Sequence, residues 1–401
     1  MPKFSISYVL TRYERINMEI IKGNHSSAKI FTTNNAETAI DQYAIHQLQA
    51  LCDNQVSANT IIRVMPDVHP GVVGTIGLTM TVGQKLMPNL TGIDIGCGML
   101  LGQIKSKKIE FQKLDTVIRE NIPSGFAVRN KVHRLADEFD FTGLHCYKHI
   151  QLNKALLSLG TLGGGNHFIE IDKDEDNNLY VIIHSGSRHL GKEVTEYYLS
   201  AGKKHLEEKG VNIPYELTYL EDELLNSYLH DIKIIQDFAS LNREIILDEL
   251  VKGMKLKLTD GYECIHNYID ASDETLKFYN SPMLRKGAIS AKLNEKVIIP
   301  INMRDGVILG VGLGNAEWNH SAPHGAGRIM KRNEVKSHYT VSSYKTAMKG
   351  IYSSCINADT LDEAPFAYRT LEDIRDIIKD TVQITNILTP IYNFKAGDKK
   401  C

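Results

Sequence analysis

The sequence predicts a mixed α/β fold of the α+β kind, built as a single large domain over residues 1–401. Three observations lead there. Short β-branched or apolar runs of strand length are set between longer stretches with helical periodicity. The two alternate irregularly, unlike a doubly wound sheet. No internal repeat, low-complexity tract or Pro/Ser-rich linker divides the 401 residues.

Taken in order, the candidate strands are residues 61–65, 76–82, 99–104, 180–183, 296–299 and 307–311, each rich in Ile, Val, Leu or Met. Residues 222–254 place Leu224, Leu225, Tyr228, Leu229, Ile232 and Ile235 at helical spacing, which predicts one or two helices. With the charged stretch 201–222 before them, they read as a peripheral helical segment of about 201–254. Thr370 opens a further helix, with Asp373 as its capping-box partner and Ile374, Ile377 and Ile378 as its buried stripe.

Composition narrows the function classes. A formal net charge of -2 excludes a protein that is basic all over, but leaves room for a local basic groove. Six cysteines without a CxxC pair are not a disulfide framework, so reduced thiols are expected. No stretch reaches the roughly 18 apolar residues of a membrane span, and the N-terminus lacks a secretory signal's apolar core. These features predict a soluble, cytoplasmic protein with no membrane partner.

The glycines are ordinary in number, at 30, but they cluster next to Asp, Cys and His. Met65-Pro66-Asp67-Val68-His69-Pro70-Gly71 offers an acid and an imidazole two residues apart; a turn with a locally bonded Asp reads equally well. In Gly92-Ile93-Asp94-Ile95-Gly96-Cys97-Gly98, glycines let the chain curl so that the Asp94 carboxylate and Cys97 sulfur meet one ion, and a thiolate can bridge two. A tight turn with a small buried Cys is the plainer alternative.

Gly160-Thr161-Leu162-Gly163-Gly164-Gly165-Asn166-His167-Phe168-Ile169-Glu170 resembles a phosphate cradle that leads into an imidazole. It is neither a Walker A loop nor GxGxxG. His184-Ser185-Gly186-Ser187-Arg188, after a strand, suits a metal ligand beside a phosphate contact. A serine nucleophile there is disfavoured because GxSxG is absent. His266 and Asn267 are weak signals alone.

In Ser321-Ala322-Pro323-His324-Gly325-Ala326-Gly327-Arg328, small neighbours leave the His324 ring open to attack phosphorus, although an exposed His in a Gly-rich turn would look the same. Together Asp94, Cys97, His167, His184 and His266 supply O, S and N donors enough for two ions with one shared ligand. Such a pair clamps the oxygens of a displacement at phosphorus.

In this order and spacing the motifs DVHPG, GIDIGCG, GTLGGGNHFIE, HSGSR, HN, RKGA (Arg285 to Ala288) and HGAGR resemble the RtcB RNA ligases, as does Asp237-Phe238-Ala239-Ser240-Leu241-Asn242-Arg243. The likeness runs from about Met65 to Lys395. It implies an RtcB-type fold with a dinuclear site on loops at strand ends. It also implies an enzyme that joins an RNA 3′-phosphate or 2′,3′-cyclic phosphate to a 5′-hydroxyl, in tRNA splicing or RNA repair. GTP and two Mn²⁺ are the implied cofactors, with archease as an accessory partner.

Carried over by position, Asp94, Cys97 and His167 would hold one Mn²⁺, and Cys97, His184 and His266 the other. His324 would carry the guanylate. The implied nucleotide contacts are Asn166, His167, Phe168, Ile169, Glu170, His266, Asn267, Pro300, Ile301, Asn302, Met303, Gly325, Ala326 and Gly327. Tyr368 would stack on guanine, and Lys395, in Asn393-Phe394-Lys395-Ala396-Gly397, would read the base.

The sequence departs from the family where Ile301 and Asn302 replace Gly-Ser, near Val307, where the family has a serine, and after Arg328, where Lys331 and Arg332 follow. These departures predict a divergent member, adapted to damaged RNA. Two rivals stand beside this reading: a dinuclear phosphoesterase or cyclic phosphodiesterase without ligation, and a non-catalytic RNA-binding protein. Lost donors would mark the second.

Overall fold

The computed structural model describes residues 17–32, 40–137 and 139–395, so Ala396 and Gly397 of the last motif lie outside the described residues. Two sheets carry the chain, with helices packed against both, which is the mixed architecture expected. One sheet has six strands in the order Asn17–Lys22, Ser27–Thr32, Ile62–His69, Ile76–Thr81, Met283–Lys286 and Asn267–Asp270. Only Ser27–Thr32 and Ile62–His69 run parallel.

The other sheet has seven strands, all antiparallel: Leu258–Ile265, Gly98–Ile104, Leu179–Ser185, Phe168–Lys173, Val382–Lys395, Gly306–Gly312 and Lys296–Asn302. All six candidate strands are present. The first runs on through Asp67 to His69 across a register shift.

Burial explains why these runs are strands. Every residue of Leu179–Ser185 is buried, so this central strand is apolar on both faces. Val181 and Ile183 pack with Leu114 and Ile118 of helix Phe111–Asn121 and with Ile246 and Leu250 of helix Asp222–Met254. Ile182 and Tyr180 face the other way, into a cluster with Met99, Leu101 and Phe168. In the six-stranded sheet, Ile30, Ile62, Val64, Leu78 and Met80 pack on Leu48 and Leu51 of helix Gln42–Cys52.

Residues 222–254 form one continuous 33-residue helix that ends at Lys255 in the left-handed region. Its placement corrects the expectation of a peripheral segment. Asn242 and Arg243 are fully buried, because the helix runs beneath the loops that carry the motifs. Thr370 caps helix Leu371–Ile377 with Asp373 as its reciprocal partner, and Ile374, Ile377 and Ile378 are buried.

The chain crosses from the seven-stranded to the six-stranded sheet through one residue, His266, between Leu258–Ile265 and Asn267–Asp270.

Candidate active site

Strand register gathers the candidate donors. Gly98 pairs with Ser185 and with Ile265, while His184 pairs with both Met99 and Phe168. Cys97, His167, His184 and His266 therefore sit at the same end of neighbouring strands. Cys97 Sγ lies 3.4 Å from His167 Nε2 and 3.2 Å from His184 Nε2. His184 Nε2 is 3.3 Å from His266 Nε2, and His167 Nε2 is 2.9 Å from Asp94 Oδ2. The five residues form two groups that share Cys97: Asp94, Cys97 and His167, and Cys97, His184 and His266.

The donor set fits a pair of cations. His167 Nδ1–H donates to Leu162 O at 2.8 Å and His184 Nδ1–H to Asn166 O at 3.1 Å. Each bond fixes the tautomer and leaves Nε2 as a bare lone pair aimed into the cluster. Neighbouring donors about 3.3 Å apart match the edges of a coordination shell with bonds of roughly 2.0–2.3 Å.

The electrostatics agree. Burial, then the Asp94 charge, pushes the Cys97 thiol well up; burial, then neighbouring imidazoles, pushes His184 and His266 well down. Burial would raise the Asp94 carboxyl, but His167 and Arg188 hold it well below the usual carboxylate range. Neutral His184 and His266 are what a metal requires of imidazole ligands, and the raised Cys97 thiol would have to give up its proton as an ion binds.

The long helix holds this end of the sheet in shape. Asn242 Oδ1 accepts from Gly160 N at 2.8 Å and Thr161 N at 3.1 Å; its Nδ2 donates to Thr161 O, Ser185 Oγ and Gly186 O. Arg243 Nη1 donates to Gly96 O at 2.7 Å and Ser185 O at 2.6 Å, and Nε to Glu263 at 2.6 Å. Gly96 has φ 71°, and a Cβ there would lie 2.8 Å from the Ala239 Cβ, so only glycine brings the Asp94–Cys97 turn down onto the helix. Ser185 is buried and donates to Leu162 O; it is scaffold, not a nucleophile.

His324 follows the short strand Ser321–Pro323, which pairs with Ala288–Ser290. Its Nδ1 is 2.6 Å from Oδ2 of the fully buried Asp67, and its ring centroid is 4.9 Å from that of His266. The Asp67 carboxylate accepts from Nδ1–H, which presents Nε2 as the reactive lone pair. Asp67 therefore orients a histidine 257 residues away in sequence, and is not a locally bonded turn residue.

His324 opens onto a cleft whose walls carry most of the residues expected to contact a nucleotide. Of the residues expected to contact a nucleotide, Asn166, Phe168, Glu170, Pro300, Ile301, Asn302, Met303, Gly325, Ala326, Gly327, Tyr368 and Lys395 line it. Four of the others stand elsewhere. Ile169 is fully buried in the core on the opposite side of its strand, because successive strand residues alternate faces. Asn267 ties loops together, donating to Asp94 O and accepting from Gly287 N. His167 and His266 belong to the donor cluster and are not among the cleft-lining residues.

Near Val307, where a family serine was placed, the structure has a fully buried core residue, and Gly306 lines the cleft instead.

Sequence reasoning missed Glu363, which ties Tyr368 and Lys395 together. Glu363 accepts from Lys395 Nζ at 2.8 Å and from Tyr368 Oη at 2.6 Å, with Arg328 at 3.4 Å and Arg332 also paired to it. Burial would raise its carboxyl, but Lys395, Arg332 and Arg328 bring it down to about 2. Two residues before Lys395 on the same strand, Asn393 Nδ2 donates to Glu170 at 2.5 Å. Burial raises Glu170, and burial with the Glu170 charge pushes Asp172 well up, which favours a shared proton over two charges. His69 also lines the cleft; its Nδ1–H donates to Asp67 O, and burial lowers it to about 4, so it is neutral. Of these, Glu363 and Asp172 stood in none of the motifs read from the sequence.

Comparison with known proteins agrees with this arrangement. The family model for tRNA-splicing ligase RtcB matches residues 52–145 and 143–396. A protein of Escherichia coli named RNA-splicing ligase RtcB1 is 30% identical over 379 residues, covering 84% of this chain and 90% of that protein. Another of Escherichia coli, RNA-splicing ligase RtcB2, is 28% identical over 93% of this chain and 98% of its own length. A tRNA-splicing ligase RtcB of Aeropyrum pernix is 27% identical, covering 78% of this chain and 83% of its own. With a family match spanning most of its length and a buried donor cluster beside an acid-oriented histidine, the chain belongs to the RtcB family.

Proposed function

We infer that this protein, like the relatives named as RNA-splicing ligases, is an RNA ligase, and that it joins 3′-phosphate or 2′,3′-cyclic phosphate ends to 5′-hydroxyl ends at the expense of GTP, in tRNA splicing or RNA repair. The observation that carries this reading is the pairing of His324 Nδ1 with buried Asp67 next to the donor cluster, which leaves Nε2 as a nucleophile facing a cleft lined by most of the expected nucleotide contacts. His324 Nε2 attacks the α-phosphorus of GTP; an N–P bond forms as the bond to pyrophosphate breaks. An oxygen of the RNA 3′-phosphate then attacks the same phosphorus, His324 leaves, and the RNA end carries the guanylate through a pyrophosphate link. The 5′-hydroxyl attacks the RNA phosphate and GMP departs.

Asp67 keeps the proton on Nδ1 throughout, so Nε2 is both a competent nucleophile and a competent leaving group. Glu363 holds Lys395 at the base end of the cleft, where Tyr368 supplies an aromatic wall. Asp94, Cys97 and His167, and Cys97, His184 and His266, would hold two Mn²⁺ that neutralise phosphate charge during each displacement. The same donors would hold Zn²⁺ at least as tightly, so a purified sample need not carry the working metal.

Five described cysteines are free and buried, which supports a reducing compartment such as the cytoplasm. No helix among the described residues is long and apolar enough to cross a membrane.

The experiment is incubation with labelled GTP and Mn²⁺. The expected product is an acid-labile, alkali-stable guanylate on the protein that His324→Ala abolishes; the loaded protein then seals RNA carrying a 3′-phosphate and a 5′-hydroxyl. Release of a 3′- or 2′-phosphate from a cyclic end with no guanylate on the protein would favour a phosphodiesterase instead. A faster second turnover on adding archease would identify that partner.

A further inference from the structure

The ligase reading requires three substrates at one cluster: a nucleotide and two RNA ends. The cleft assigned above to the nucleotide lies on the His184 and His324 side. A second groove reaches the cluster from the Asp94 and His167 side, with Asn166 on the border of both. Asp94 is the only carboxylate among the residues that line this groove, whereas Arg188, Lys154 and Lys192 are all there. Such a surface complements a polyanion.

Phe126, 91% exposed, lines the same groove, as do Val128 and Ile93 at 36% and 54%. Together the three put an apolar, part-aromatic face on a groove that also carries the cations. The Phe126 backbone is pinned on both sides. Gly125 N donates to Gly163 O at 2.8 Å, Arg188 Nη2 donates to Gly125 O at 3.2 Å, and Ala127 N donates to Ser124 O at 3.2 Å. Gly163 belongs to the glycine-rich loop that leads into Asn166 and His167, and a Cβ on Gly163 would collide with the Arg188 guanidinium. The ring, the arginine and the cluster-bearing loop are thus one rigid assembly.

We propose that this groove receives a single-stranded RNA end, with its terminal base stacked on Phe126 and its sugar-phosphate directed past Arg188 toward Asp94 and His167. The assignment rests on the RNA-ligase reading above. The combination of a pinned aromatic platform and a cationic floor is the one by which proteins grip single strands without reading sequence. An apolar protein surface docking on Phe126 would leave Arg188, Lys154 and Lys192 in the same groove without a use.

The test uses the full-length protein and short fluorescent oligoribonucleotides, one ending in a 3′-phosphate and one in a 5′-hydroxyl, so that the strand that binds is identified. Phe126→Ala is expected to weaken binding of one of them, and to raise its KM in sealing, by about 5- to 150-fold, the range for losing one base–aromatic stack. Phe126→Trp should restore affinity. Trp318, the one native tryptophan, is buried against Phe31, so emission quenched by RNA in Phe126→Trp reports the groove. Equal thermal midpoints for the variants and the parent exclude misfolding.

Unchanged affinity and KM in Phe126→Ala, or no quenching in Phe126→Trp at saturating RNA, would overturn the proposal. So would a change in the protein's assembly mass in Phe126→Ala with RNA affinity intact, since that assigns the ring to a protein contact. Failure of the parent protein to label with GTP would sink the ligase reading instead, and is scored separately from RNA affinity.

Discussion

Replacing Asp67 by Asn isolates what the buried acid does for His324. The side chains are isosteric, so the packing of Gly327 on the Asp67 backbone, where a Cβ would come within 2.8 Å of the Asp67 carbonyl oxygen, is preserved. The charge is not. Oδ2 now makes a 2.6 Å bond to Nδ1 in a fully buried setting, while Oδ1 has no hydrogen-bond partner. An asparagine must either accept from Nδ1–H with a neutral oxygen or turn its NH₂ toward the ring. The second option moves the proton to Nε2 and removes the nucleophile.

A hydrogen bond to a charged group contributes about 1.5–3 kcal/mol, so Asp67→Asn should slow self-guanylylation about 10- to 150-fold. The measurement is the single-turnover labelling rate at saturating GTP, beside the GTP concentration that half-saturates it. The rate should fall while half-saturation barely moves, because Asp67 is not among the residues that line the cleft. A wild-type rate in Asp67→Asn would refute the claim that the acid sets the tautomer.

Two further outcomes follow from buried polar groups. Glu363 is held down to about 2 by three cations, against an ordinary 4.5. A depressed carboxyl adds stability that is fully present above pH 4.5 and drains away as pH falls toward 2. Glu363→Gln should therefore be less stable than the parent at neutral pH by on the order of 3 kcal/mol, with the gap closing below pH 4.5; urea midpoints that stay equally far apart down to pH 3 would contradict this. Asn242→Ala strips partners from two buried N–H groups and two buried carbonyls in the loops around Thr161 and Gly186. At roughly 1 kcal/mol net per bond, the loss should be about 3–5 kcal/mol by urea unfolding; a shift under about 1 kcal/mol would mean that the helix does not hold those loops.

The strands and donors were legible because their signals are local: an apolar run, a glycine before a Cys, a His at the end of a strand. The error at Ile169 was avoidable from the sequence, since Phe168 and Glu170 on one face of a strand put Ile169 on the other. Asn242 and Arg243 were not legible as supports. Two polar residues on the buried face of a helix pack against something polar, but their partners lie 20 to 147 residues away and only the fold names them. Glu363 was hidden for the same reason. Its partners at 328, 332, 368 and 395 come from separate segments, and a carboxylate in a short turn looks solvated until three cations are seen around it.

On the function proposed above, the departures at residues 301, 302 and 307 bear on how this cleft would select a nucleotide. Asn302 does not leave its amide free for a ligand: Oδ1 accepts from Arg304 N and Asp305 N, and Nδ2 donates to Asp305. The turn that Gly-Ser would leave pliable is thus locked by a side chain. Ile301 is 3% exposed and Val307 fully buried, so this wall offers shape and apolar contact with few polar groups to spare. Selectivity then falls to the opposite side, where Glu170, Lys395 and Tyr368 are fixed by Asn393 and Glu363. Glu170 and Lys395 are brought together by the pairing of Glu170 with Asn393 and of Phe168 with Lys395. The register of the last strand against Phe168–Lys173 therefore shapes this end of the cleft. A one-residue slip of the last strand would turn Asn393 and Lys395 away from the cleft while leaving Glu170 and every cluster donor in place.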